Sequence, residues 1–228
     1  MTTRDPGATR DVFTKPWFRW MLAAYGLLGT TAAFLIATAP FIVAVFVAPM
    51  VAIGGPVMVA VCGFSIGPAW VAALYTMRAY ATERDIEPFR LFLRGYRLGW
   101  RQSLLFWAPY FALLVVLALD LTSSAGLPTP VYWLLVALGA AALLWGSTVL
   151  VIVAFFSFRL RDAMRLAVYG LAHSPRWLLG AVLLLLGAGA LVYLGSEAVA
   201  GILVTPFALL TVIASRPLVR RLTEEFTS

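Results

Sequence analysis

His173 is the only histidine in the 228-residue chain, and it stands beside Ser174 in a segment that also holds Asp162. A Ser–His–Asp triad needs the base within hydrogen-bond reach of the nucleophile and the acid on the far ring nitrogen. Nearness in sequence supplies none of that geometry, so the trio reads as an ordinary polar loop. A lone histidine without a cysteine or carboxylate cluster is not a metal site. The chain has no Gly-rich phosphate loop ending in Gly-Lys-Ser/Thr, so it does not hydrolyse ATP by that route. Cys62 is the only cysteine and lies in an apolar run, where it reads as a small packing residue. The expectation is no catalytic residue, no metal and no cofactor.

Two other constellations stand out. Pro68 lies ten residues before Arg78, Pro109 eight after Arg101, and Pro206 ten before Arg216. At ~1.5 Å per residue each falls ~12–15 Å from a cationic boundary. Proline removes a backbone donor and kinks a helix. Interrupted helices that meet at mid-membrane mark binding sites in transporters. The expected site is a shared cleft lined by Pro68, Trp70, Trp107, Pro109, Tyr110, Trp145 and Pro206. The plainer alternative is packing, since proline is common in membrane helices.

The second constellation is a basic stretch at 86–101. Phe89, Phe92, Leu93, Tyr96 and Trp100 recur at helical spacing, and Arg90, Arg94, Arg97 and Arg101 form a stripe beside them. The pattern predicts an amphipathic helix lying along the inner membrane surface, with arginines on anionic headgroups. Leu91 and Leu98 fall on a third side. With the arginines they are expected to form a docking face for lipid or for a partner. A second inner stretch, 158–167, also has a helical pattern.

The elements that must position these residues follow from composition and charge. Hydrophobic residues make up 62% and charged residues 12%, against a usual ~45–50% and ~25%. A globular chain of this size lacks the interior to hide so much apolar surface, so the chain reads as an integral membrane protein. Disorder, a disulfide scaffold and nucleic-acid binding are excluded by the same composition. Residues 20–77 carry no Asp, Glu, Lys or Arg. One span needs ~20 apolar residues, and both flanks of this run are cationic. The positive-inside rule therefore demands an even number of crossings, with a turn near Pro49 to Pro56, where Gly54-Gly55-Pro56 would break a helix. Spans at roughly 103–119, 131–157, 177–195 and 198–215 complete the count. The result is an all-α protein of six transmembrane helices with both termini cytoplasmic. All 17 Lys and Arg fall inside, and only Asp120 and Glu197 fall outside. The organisation is a tail at 1–16, one membrane domain at 17–215 and a second tail at 216–228. The N-terminal segment is too long and too mixed in charge for a signal peptide.

Gly67-Pro68-Ala69-Trp70-Val71-Ala72-Ala73-Leu74-Tyr75 resembles the Gly-Pro-Ala…Ala-Leu-Tyr signature of the YesL-like family of bacterial membrane proteins. Pro88-Phe89-Arg90-Leu91-Phe92 occupies the place of that family's inner loop, where Asp usually stands before the Phe. Asp162-Ala163-Met164-Arg165-Leu166-Ala167 resembles its second inner motif. The likeness runs over most of 15–215. It implies a prokaryotic plasma-membrane protein linked to carbohydrate uptake of the ABC type, working beside permease subunits and a separate ATPase. It names no catalytic residue. The Glu-Ala-Ala…Gly coupling loop of ABC importer permeases is not evident, which points away from the permease itself. The expected function is an accessory membrane protein of such a system; a self-contained transporter or channel using helices 2, 3 and 6 is the alternative. The expected partners are anionic headgroups and ABC permease subunits, with no oligomeric state assigned.

Overall fold

The computed structural model describes residues 16–48, 54–83, 87–122, 128–156, 158–194 and 197–226. The regular elements among them are all helical: α1 (Pro16–Ala37), α2 (Ala39–Val47), α3 (Gly55–Cys62), a 3₁₀ turn (Gly63–Ser65), α4 (Ile66–Glu83), α5 (Pro88–Thr122), α6 (Thr129–Phe155), α7 (Leu160–His173), α8 (Pro175–Leu194) and α9 (Glu197–Phe226). In hydrocarbon every backbone N–H and C=O needs a partner within the protein, and a helix supplies them from its own segment. Prolines mark several starts. Pro40, Pro56 and Pro130 occupy first-turn positions of α2, α3 and α6, where the missing N–H has no helical acceptor anyway. Gly54 precedes α3 with φ +109°, a backbone region open to glycine and strained for other residues. The expected turn begins at residues outside the described ones, and Gly54 is its described end.

Four stretches are long and apolar enough to cross a membrane: Val57–Tyr80, Pro88–Leu121, Thr129–Phe155 and Leu203–Glu224. Counting each of two bent pairs as one raises the number to six. The first pair is α1 with α2, bent by 58° at Thr38; the second is α7 with α8, bent by 101° at Ser174. Both breaks have a proline just beyond them, Pro40 and Pro175. The helices α5 and α9, by contrast, run unbroken through Pro109, Pro206 and Pro217.

The α4 helix is the centre of the bundle. It packs against α1, α5, α6 and α9, and Ala69, Ala72, Ala73, Leu74 and Thr76 expose no surface at all. Lipid tails are as apolar as leucine, so helices in a bilayer associate through close van der Waals packing and internal hydrogen bonds. Small side chains on α4 allow that approach. Buried hydroxyls are met within the bundle. Thr30, Thr76 and Thr148 donate to the carbonyls of Gly26, Ala72 and Leu144 at 2.8 Å each, and the Thr31 and Thr205 hydroxyls bond to each other at 2.7 Å across α1 and α9.

One expectation is corrected. The basic stretch 86–101 is not a separate surface helix. From Pro88 it is the first part of α5, whose 35 residues span ~52 Å against ~30 Å of hydrocarbon. No proline lies between Pro88 and Pro109, and Gly95 and Gly99 are held by their neighbours on α4, so nothing stops the helix at Arg101. The short amphipathic helix set across its neighbour is instead α7. It buries Ala163, Ala167 and Gly170 on one face and exposes Arg161, Asp162 and Arg165 on the other. The α9 helix passes residue 216 without a break, and Leu218 and Leu222 are buried. The tail at 1–16 lies outside the described residues except for Pro16.

Candidate functional site: aromatic cluster and arginine cavity

The seven residues expected to line a midplane cleft differ in exposure. Pro68 is buried, Pro206 is half-buried and Pro109 is exposed on the outer face of α5. The α4–α5 register sets Trp107 over Gly67 and Phe111 over Gly63, so Pro68 and Pro109 do share a depth, as their spacing predicts. They differ in surroundings, Pro68 being buried and Pro109 exposed.

Three of the seven are brought together. Ring centroids lie 5.6 Å apart for Trp107 and Tyr110 and 6.3 Å apart for Tyr110 and Trp145, with Phe106 stacked on Tyr110 at 5.2 Å. Each ring also makes a polar bond to backbone. The Trp107 indole N–H donates to the Gly63 carbonyl at 2.9 Å, the Tyr110 hydroxyl to that of Ala142 at 3.0 Å, and the Trp145 indole to that of Met164 at 3.2 Å. Glycines lie beneath two of the rings: a Cβ on Gly67 would run into Trp107, and one on Gly146 into Tyr110. Tyr110 is buried in this cluster, and Trp107 and Trp145 are half-buried. Trp70 is half-buried beside the core.

The predicted docking face divides in two. Arg90, Arg94, Arg97 and Arg101 are exposed, as expected. Arg90 pairs with Glu87 at 3.3 Å, and Arg101 lies over the Trp100 ring at 5.3 Å. Leu98 is 70% exposed but Leu91 only 5%. The two leucines therefore do not make one exposed side. Leu91 belongs to the face that α5 turns toward the bundle.

A different site emerges at the basic end of the bundle. Arg78 donates to the Phe155 carbonyl at 2.7 Å, Gln102 to the Phe158 carbonyl at 2.6 Å, and Arg221 to the His173 carbonyl. These contacts tie α4, α5 and α9 to the α6–α7 and α7–α8 junctions. Beside them is a cavity of about 640 Å3 lined by Ser174, Pro175, Arg176, Arg216, Pro217, Arg220, Arg221 and Glu224. Four guanidinium groups face one carboxylate. Sequence reading placed these arginines on the inner side but did not join them, because they come from the starts and ends of different helices. The available signal was Ser-Pro-Arg at 174–176 together with Arg216 and Arg220, one helical turn apart. A second cavity of about 420 Å3, between α2 and α3, is lined by Ala39, Pro40, Val43, Ala44, Val47, Met58 and Cys62, an apolar set. Among the described residues no group of three or more His, Cys, Asp or Glu comes together to hold a metal. Asp162 and Ser174 lie at opposite ends of α7, and the His173 ring stacks on Tyr169 at 4.2 Å.

Residues 18–121, a little under half of the chain, match a family described as a protein of unknown function, DUF624. The match spans α1 to α5, including the Gly-Pro-Ala…Ala-Leu-Tyr stretch and the basic start of α5. No curated protein matches the chain, and no solved structure does.

Proposed function

We propose that the chain is an accessory integral membrane protein of an ABC-type solute uptake system, with carbohydrate as the solute class. It sits in a prokaryotic plasma membrane with both termini in the cytoplasm. It works beside permease subunits and a separate ATPase and does not itself conduct solute. The YesL-like resemblance of 67–75, 88–92 and 162–167 supplies the uptake system. The observation that carries the non-conducting role is the closure around α4. Residues 67–77 of that helix are mostly buried among α1, α5, α6 and α9, and the buried hydroxyls near it are bonded to the protein's own backbone. A solute path through a bilayer needs a polar lining left free for the solute, and among the described residues the buried side-chain polar atoms are already bonded within the protein. The exposed basic start of α5 offers a surface for a partner.

The test is recovery of the tagged full-length chain from native membranes in mild detergent, paired with flux assays on liposomes that contain only this chain. Permease and ATPase subunits in the eluate with no flux above empty liposomes is the expected result. Carbohydrate flux through the chain alone would replace the proposal with the self-contained conduit.

A further inference from the structure

The arginine cavity between the α7–α8 junction and the end of α9 has a chemistry of its own. Arg220 is engaged by Glu224 at 2.8 Å, and Arg221 is held by the His173 carbonyl at the C-terminus of α7. Arg176 and Arg216 have no hydrogen-bond or ion-pair partner among the described residues, and both line the same cavity. The cavity also receives the first turn of α8, which begins at Pro175. The N–H groups of a first turn have no helical acceptor, and the positive end of the helix dipole adds to the guanidinium charge. Ser174, whose residue is buried, completes the rim.

We propose that this cavity binds a phosphate oxyanion carried on an ester. Guanidinium forks match phosphate oxygens in pairs, and several forks around one space suit a group with three acceptor oxygens better than a single carboxylate. A carboxylate would leave most of the cationic excess uncompensated. The volume, about 640 Å3, falls in the range of small-molecule sites, ~300–1,000 Å3, and leaves room for the esterified group against Pro175 and Pro217. Two sources share this chemistry: the headgroup of an anionic phospholipid in the adjacent leaflet, and a soluble phosphate ester.

The experiment uses the purified full chain and follows thermal unfolding. One arm adds inorganic phosphate and inorganic pyrophosphate in a zwitterionic detergent. The other compares phosphatidylglycerol with phosphatidylcholine nanodiscs. Saturable, salt-sensitive stabilisation is expected in at least one arm. A response to phosphatidylglycerol alone identifies the lipid headgroup, and a response to the soluble anions identifies the ester; both support the site. The double variant Arg176→Gln/Arg216→Gln lowers the apparent affinity by about tenfold or more, since two charge-assisted pairs are lost. Arg161→Gln/Arg165→Gln, on the exposed face of α7, leaves it unchanged. Arg176→Lys/Arg216→Lys keeps the charge without the fork and gives an intermediate loss, which preserves the test if the Gln variant does not fold. No stabilisation in either arm, or equal loss in the α7 control, overturns the proposal.

Discussion

The indole N–H of Trp107 on α5 donates to the backbone carbonyl of Gly63 at 2.9 Å, where the preceding helix tightens into a 3₁₀ turn before α4. The Ile66 N–H reaches the same oxygen from within the chain. Pro68 has no N–H to give to this stretch, and the Trp107 indole adds a bond to it from another helix. Gly63 and Gly67 make the contact possible: a side chain on either would occupy the space of Phe111 or Trp107. The arrangement is returned further along the same hairpin, where Gly95 and Gly99 on α5 lie against Tyr75 and Val71 on α4. Two glycine pairs at four-residue spacing thus face each other's large residues, a small-xxx-small device that brings membrane helices close.

Trp107→Phe keeps an aromatic ring over Gly67 and removes the donor. The expected loss is about 0.5–1.5 kcal/mol of stability, read as a lower midpoint in detergent unfolding. A midpoint equal to that of the unaltered chain would mean that the Gly63 carbonyl is served well enough by Ile66.

Gly67→Ala should destabilise more, by about 1–3 kcal/mol, because the new methyl meets the Cβ and Cγ of Trp107, atoms close to the backbone that move only with the helix. Gly139→Ala is the matched control, since a Cβ there meets nothing within 4 Å. Equal midpoints for the two variants would count against the close α4–α5 packing.

The hydroxyls of Thr31 and Thr205 join α1 to α9 at 2.7 Å, and Thr31 also bonds the Leu27 carbonyl at 2.9 Å. A double-mutant cycle of Thr31→Val and Thr205→Val is expected to return a coupling of about 0.6 kcal/mol, the usual size for interhelical bonds in membranes. Additive single effects would show that the two helices are held by packing alone.

Topology is tested by labelling single cysteines in a Cys62→Ala background. Arg90→Cys and Arg165→Cys should react with a membrane-impermeant maleimide only after the membrane is opened. Ala125→Cys should react from outside in intact cells. Outside labelling at 90 or 165 would remove the six-span arrangement with cytoplasmic termini.

Composition and charge spacing were enough to decide that this chain is helical, that its elements are membrane-length, and where the cationic ends fall. These properties depend on the local balance of apolar and charged residues, which any reader of the chain sees without knowing its neighbours. The common depth of Pro68 and Pro109 was legible for the same reason, since rise per residue is a local constant. Which way those prolines face was not, because orientation is set by the partner helix: α4 is surrounded and buries Pro68, while α5 lies at the edge and exposes Pro109. The same cause separates Leu91 from Leu98, two residues alike in sequence pattern and opposite in burial. The tertiary structure also decided where helices break. Proline at 109, 206 and 217 is carried inside continuous helices, and the bends of 58° and 101° fall at Thr38 and Ser174. Finally, the arginine cavity exists only because α7 turns across α8 and delivers His173 to Arg221. Arg176 and Arg216 are forty residues apart in the chain, and only the folded bundle makes them one site.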